Sequence, residues 1–76
     1  MFNNFLTIKE VGIILGFKKS ASQKVISELN AELRDKGYRT IQGKINKDYF
    51  AERYFLNVED IEKMLKESID YELQTN

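Results

Sequence analysis

Leu6-Thr7-Ile8-Lys9-Glu10-Val11-Gly12-Ile13-Ile14-Leu15-Gly16-Phe17, running on into Lys18-Lys19-Ser20-Ala21-Ser22-Gln23, is the stretch that decides how this chain folds. Thr7 and Glu10 have the spacing of a capping box, in which the hydroxyl takes an orphan helix N–H and the carboxylate reaches back. Val11, Ile14 and Leu15 then recur on one helical face, so a first short helix is expected over about 8–15. Gly16 supplies the left-handed residue that ends it, with apolar Phe17 after it. Ser20-Ala21-Ser22-Gln23 reads as a second capping box, leaving only a few residues between two helices. So short a connection forces a steep crossing, as in a helix-turn-helix.

Outward from that corner, the second helix is expected over about 21–36 and closes at Gly37. Ala21, Val25, Ile26, Leu29 and Leu33 gather on one side of it. Gln23, Ser27, Asn30 and Arg34 form a narrow polar stripe opposite, flanked by Lys24 and Ala31. Tyr38-Arg39-Thr40-Ile41 and Lys44-Ile45 flank Gln42-Gly43 and predict a small β-hairpin. Asn46 caps a third helix over about 47–55, and Asn57 a fourth over about 58–73. Phe50 and Tyr54 are expected to close the core made by the first two helices. The predicted fold class is mainly α with a small β-hairpin: a winged helix-turn-helix with an added C-terminal helix. Residues 1–76 read as a single domain with its core over about 5–55.

Composition narrows the function. Cysteine and histidine are absent, which removes thiolate nucleophiles, imidazole bases and the usual zinc ligands. No lysine stands in an apolar setting that would make it a base, and no glycine-rich phosphate loop is present. The acids Glu59, Asp60 and Glu62 open a helix, where the macrodipole accounts for them. No catalytic residue, metal or cofactor is expected, and the chain does not read as an enzyme. The start at Met1-Phe2-Asn3-Asn4 lacks a signal-peptide pattern and no apolar run is of membrane-spanning length, so a cytoplasmic address with no membrane contact is expected.

Formal net charge is zero, which by itself argues against a polyanionic partner. The average hides a segregation. Residues 18–53 carry nine cations against five carboxylates, and residues 54–76 carry two against six. A basic middle and an acidic tail point to two surfaces with different partners.

The basic middle holds the candidate site. Gln, Asn and Arg can pair bidentately with base edges, and serine can approach them, so Gln23, Lys24, Ser27, Asn30 and Arg34 are expected to read bases in a major groove. Lys18, Lys19 and Ser20 open the second helix, where free N–H groups and the dipole favour a phosphate. Arg39, Lys44 and Lys47 add cations on or beside the hairpin, suited to the DNA backbone or minor groove. On the last helix Val58, Ile61, Met64, Leu65, Ile69 and Leu73 make an apolar stripe that needs covering; a homodimer is the expected cover, and the alternative is that the helix folds back onto its own domain as a fourth core element.

From Leu6-Thr7-Ile8-Lys9-Glu10-Val11 and Ile14-Leu15-Gly16-Phe17, the chain resembles the opening of MerR-like and excisionase-like winged helices. Ser20 to Tyr38, Gly43-Lys44-Ile45 and Tyr49-Phe50-Ala51-Glu52-Arg53-Tyr54 resemble small helix-turn-helix proteins of Gram-positive phages, plasmids and integrative elements. The resemblance spans about residues 5–55. It implies that the helix matching residues 20–36 enters the major groove of double-stranded DNA and that residues 38–46 serve as the wing. It further implies a transcriptional regulator or an excisionase-type directionality factor, working as a homodimer or higher assembly, with a host protein or recombinase as a possible partner. The competing reading is a phage- or plasmid-encoded protein-interaction module that inhibits or adapts a host protein. Neutral net charge and the acidic tail favour that second reading.

Overall fold

A computed structural model describes the backbone of residues 4–74 and the side chains of residues 4–68. The chain runs β1 (Phe5–Thr7), α1 (Ile8–Leu15), α2 (Lys19–Asp35), β2 (Lys44–Asn46), α3 (Lys47–Arg53) and α4 (Val58–Gln74). This is the mainly helical, small-sheet architecture expected of a winged helix with an added C-terminal helix.

The capping box of α1 is present in both directions. Thr7 Oγ1 accepts from the Glu10 N–H at 3.2 Å, and Glu10 Oε1 accepts from the Thr7 N–H at 2.9 Å. Gly16, at φ +71°, turns the chain out of α1. Gly12 matters for a different reason: a Cβ there would lie 2.9 Å from the Phe17 carbonyl oxygen and 3.0 Å from Ser22 Oγ. The α1–α2 corner closes directly over that bare backbone.

The second capping box does not form. Lys18 occupies the cap position of α2 in extended conformation, with no side-chain cap bond, and the helix starts at Lys19 rather than near 21. The three-residue connection ends at this extended Lys18, and helical backbone begins with the next residue. Ser22 is consequently one turn inside, fully buried, donating from Oγ to the Lys18 carbonyl at 2.9 Å. Ala21, expected in the core, faces solvent.

β2 pairs antiparallel with β1, in the register Phe5↔Asn46, Leu6↔Ile45, Thr7↔Lys44. The expected partner strand, Tyr38–Ile41, contributes a single bridge, Ile41↔Lys44, which closes the turn through Gln42-Gly43. The turn is where the sequence places it; the ladder is not. Thr7 must be extended to cap α1, which leaves Phe5–Thr7 ready to pair, and the pairing buries Leu6 and Ile45 side by side. Tyr38, by contrast, is exposed.

Asn46 Oδ1 caps α3 by accepting the Tyr49 N–H at 2.9 Å. The core is built from Leu6, Val11, Val25, Ile26, Leu29, Leu33, Ile45, Phe50, Ala51, Ile61 and Leu65, with Ile14 and Leu15 half-buried against it. Tyr54 stays 39% exposed, its ring centre 5.0 Å from that of Phe50 and tilted by 35°, so it lids the core instead of entering it.

The last helix corrects the placing of Ile61 and Leu65 in a dimer interface. α4 folds back on α1 and α3. Ile61 is 0% exposed and Leu65 2%, both inside the chain's own core, with Val58 half-buried against it and Met64 also half-buried. The core therefore extends beyond residues 5–55, with α4 supplying one side of it. The side chains of Ile69 and Leu73, also assigned to the dimer stripe, lie outside the described residues.

Candidate nucleic-acid interface

α2 crosses the molecule with one face in the core and one in solvent. Val25, Ile26, Leu29 and Leu33 hold it down, and the helical period then turns Gln23, Lys24, Ser27 and Arg34 outward, all of them exposed. Glu28 and Asp35 are exposed as well, but lie roughly 100–120° round the axis from Arg34. Arg34 is therefore not faced by a carboxylate of its own helix, whereas Lys24 shares its face with Glu28, one turn on and roughly 40° round the axis.

Asn30 breaks the expected pattern. It is 5% exposed, and its Nδ2 donates to the carbonyls of Ile41 at 3.2 Å and Lys44 at 3.0 Å. The wing turn folds across α2 at this point, and its carbonyls find a donor in the amide beneath them. Asn30 is thus a support for the wing and not a base-reading residue.

Arg34, one turn further on, reaches the same segment: Nη1 donates to Thr40 Oγ1 at 3.0 Å. Between helix and wing these contacts leave a groove of about 380 Å³ lined by Ile26, Ser27, Asn30, Arg34, Thr40, Gln42 and Gly43. No carboxylate lines it. Thr40 and Gln42 were not singled out in the sequence, where polar residues beside a turn glycine carry no signal of their own.

The other expected contacts divide. Lys18, Lys19 and Ser20 are exposed at the start of α2, and Arg39 and Lys44 are exposed on the wing segment. The wing turn meets α2 at Asn30, eleven residues on from Lys19 and so about 16 Å along the helix axis. Lys47 does not join either group. It is 5% exposed at the start of α3, with Nζ 2.7 Å from Glu62 Oε2 on α4. It joins α3 to α4, and the expectation of a phosphate contact there is corrected.

On the side of α2 that meets α3, Glu32 gathers the positive charge. Its Oε1 accepts from Arg53 Nε at 2.8 Å and from the Tyr49 hydroxyl at 2.7 Å, and Oε2 accepts from Arg53 Nη2 at 3.2 Å. These bonds, the Arg53 guanidinium's first, hold the Glu32 carboxyl down to about 2. Lys36 sits 4.9 Å from the centre of the Tyr49 ring. Arg53 is thereby tied to its own fold, while Arg34, Arg39 and Lys44 make no ion pair among the described residues.

Over 54 residues the chain is 41% identical to the ICEBs1 excisionase of Bacillus subtilis (strain 168), a match covering 71% of this chain and 84% of that one. The chain belongs to the excisionase family. Membership agrees with the resemblance drawn from residues 5–55. No protein-family model matches the chain, and neither does any solved structure. Among the described residues of this excisionase-family chain, no helix is long and apolar enough to cross a membrane.

Proposed function

We propose that the chain binds double-stranded DNA sequence-specifically as an excisionase-type recombination directionality factor of a mobile element, and that it is not itself a catalyst. The observation that carries this is the exposed face of α2. Gln23, Lys24 and Ser27 stand free of the core, beside a wing bearing Arg39 and Lys44 and a groove without carboxylates. Gln23, Lys24 and Ser27 supply base contacts. Lys18, Lys19 and Ser20 at the start of the helix, with Arg39 and Lys44 on the wing, supply backbone contacts. Kinship with an excisionase supports the directionality role over transcriptional regulation.

A gel-shift titration on DNA from the ends of the chain's own element, against a mixed-sequence duplex, tests this. Gln23→Ala and Ser27→Ala are expected to weaken the specific complex by about 1–3 kcal/mol each and the mixed one little. Lys18→Ala and Lys19→Ala should weaken both alike. Binding should fall steeply between low and moderate salt. A complex indifferent to salt would favour the protein-interaction reading instead. Excision of the element in a reaction with its recombinase, with and without the chain, then separates a directionality factor from a regulator.

A further inference from the structure

We propose that the groove between α2 and the wing is a binding site for one DNA backbone phosphate, with Arg34 as its cation and not as a reader of bases. The inference rests on the DNA-binding reading above.

The argument begins with what Arg34 is already doing. Its Nη1 donates to Thr40 Oγ1, so the exposed guanidinium leans toward the wing. A guanidinium has five N–H donors, and one hydroxyl uses one of them. The others have no carboxylate to bond: Arg34 has no ion pair among the described residues, unlike Arg53 on Glu32. An arginine oriented by a neutral hydroxyl and left with spare donors is prepared for an anion.

The walls agree with that assignment. Ser27, Thr40 and Gln42 bring hydroxyl and amide groups to the lining, Gly43 adds no side chain, and no acid is present to repel an anion. The opening, about 380 Å³, admits a phosphodiester. The two walls are also held at a set separation, because Asn30, at the base of the groove, bonds both ends of the Ile41–Lys44 turn. With a phosphate seated here, α2 and the wing lie on either side of one strand of the duplex.

The test separates a backbone contact from a base contact. Arg34→Ala and Arg34→Gln are compared with the parent on a mixed-sequence duplex across a salt series. The glutamine keeps a donor for Thr40 but loses the charge. Both variants are expected to bind that duplex roughly tenfold more weakly at low salt. Both should show a slope of log K against log salt smaller by about 0.9, as for one phosphate lost. On the specific duplex, replacing phosphates one at a time by uncharged methylphosphonates should weaken the parent at one position where Arg34→Ala shows no further loss. Unchanged slopes with losses confined to the specific duplex would make Arg34 a base reader and overturn the proposal. So would additive losses at every methylphosphonate position. A parent that binds neither duplex would instead remove the DNA-binding reading, and this site with it. Arg34 is exposed and makes one side-chain bond, so both variants should melt with the parent, which the same samples report.

Discussion

Replacing Asn30 by leucine, close to it in size, removes two hydrogen bonds and leaves the shape of the site nearly intact. The amide is 5% exposed and donates to Ile41 O at 3.2 Å and to Lys44 O at 3.0 Å. Each such bond contributes roughly 0.5–1.5 kcal/mol net. Ile41 O keeps the Lys44 N–H at 3.1 Å as a second donor, so its loss falls at the low end of that range. Lys44 O loses the shorter bond. Together the expected loss is about 2 kcal/mol, a large share of what a domain this small can hold, and it should lower Tm by roughly 8–16 °C. Thermal melts followed by circular dichroism measure it. Hydrogen exchange at the Lys44 amide reports whether the loss sits in the wing, since that N–H closes the turn that Asn30 supports. A variant that melts with the parent and keeps its Lys44 protection would refute the view that Asn30 holds the wing. It would also return the residue to the pool of possible base contacts.

Phe55→Gly should stabilise the chain by about 1 kcal/mol, seen as a higher Tm, because Phe55 sits at φ +54° and is 98% exposed, so the left-handed strain is relieved with little packing lost. Gly12→Ala should do the reverse despite alanine's better helix propensity, losing roughly 1–3 kcal/mol as the new Cβ meets the Phe17 carbonyl and Ser22 Oγ, which a denaturant midpoint would record. Glu32, held at about 2 against an ordinary 4.5, contributes stability that is present above the ordinary carboxylate range and lost as pH falls toward 2. Acid titrations of the parent and Glu32→Gln should accordingly converge over that window, and a constant gap between them would contradict the assignment.

What could be read from the sequence is what is local. The α1 capping box needs only Thr7 and Glu10, three residues apart, and it forms as written. Ser20 and Gln23 have the same spacing, yet no box forms, because the length of the connection places the helix start at Lys19 and carries Ser22 inside it. The wing's partner strand was not legible. Leu6 pairs with Ile45 across two intervening helices, and a three-residue strand has no periodicity to betray it. The site divides in the same way. The helical period correctly turns Gln23, Lys24, Ser27 and Arg34 outward, but it cannot say what folds over a polar residue from elsewhere in the chain. Asn30 lies in the stripe and under the wing at once. Lys47 reads as one more cation near the hairpin until α4 arrives with Glu62 beside it.

The fourth helix shows the limit of a pattern most clearly. Val58, Ile61, Met64, Leu65, Ile69 and Leu73 make an amphipathic stripe, and such a stripe states only that something apolar must lie against it. A second copy and the rest of the same chain satisfy it equally well. The choice between them depends on whether residues 5–55 close a core unaided, and in this chain Ile61 and Leu65 are buried in one cluster with Val11, Leu6 and Phe50. The same two side chains cannot also face a partner. Polar substitutions at Ile61 or Leu65 would therefore unfold the domain and say nothing about assembly. Since α4 packs on α1 and α3 while the proposed DNA surface lies on α2 and the wing, the acidic helix braces the fold from another side. A formally neutral chain can in this way keep the carboxylates of α4 away from the surface proposed to meet a polyanion.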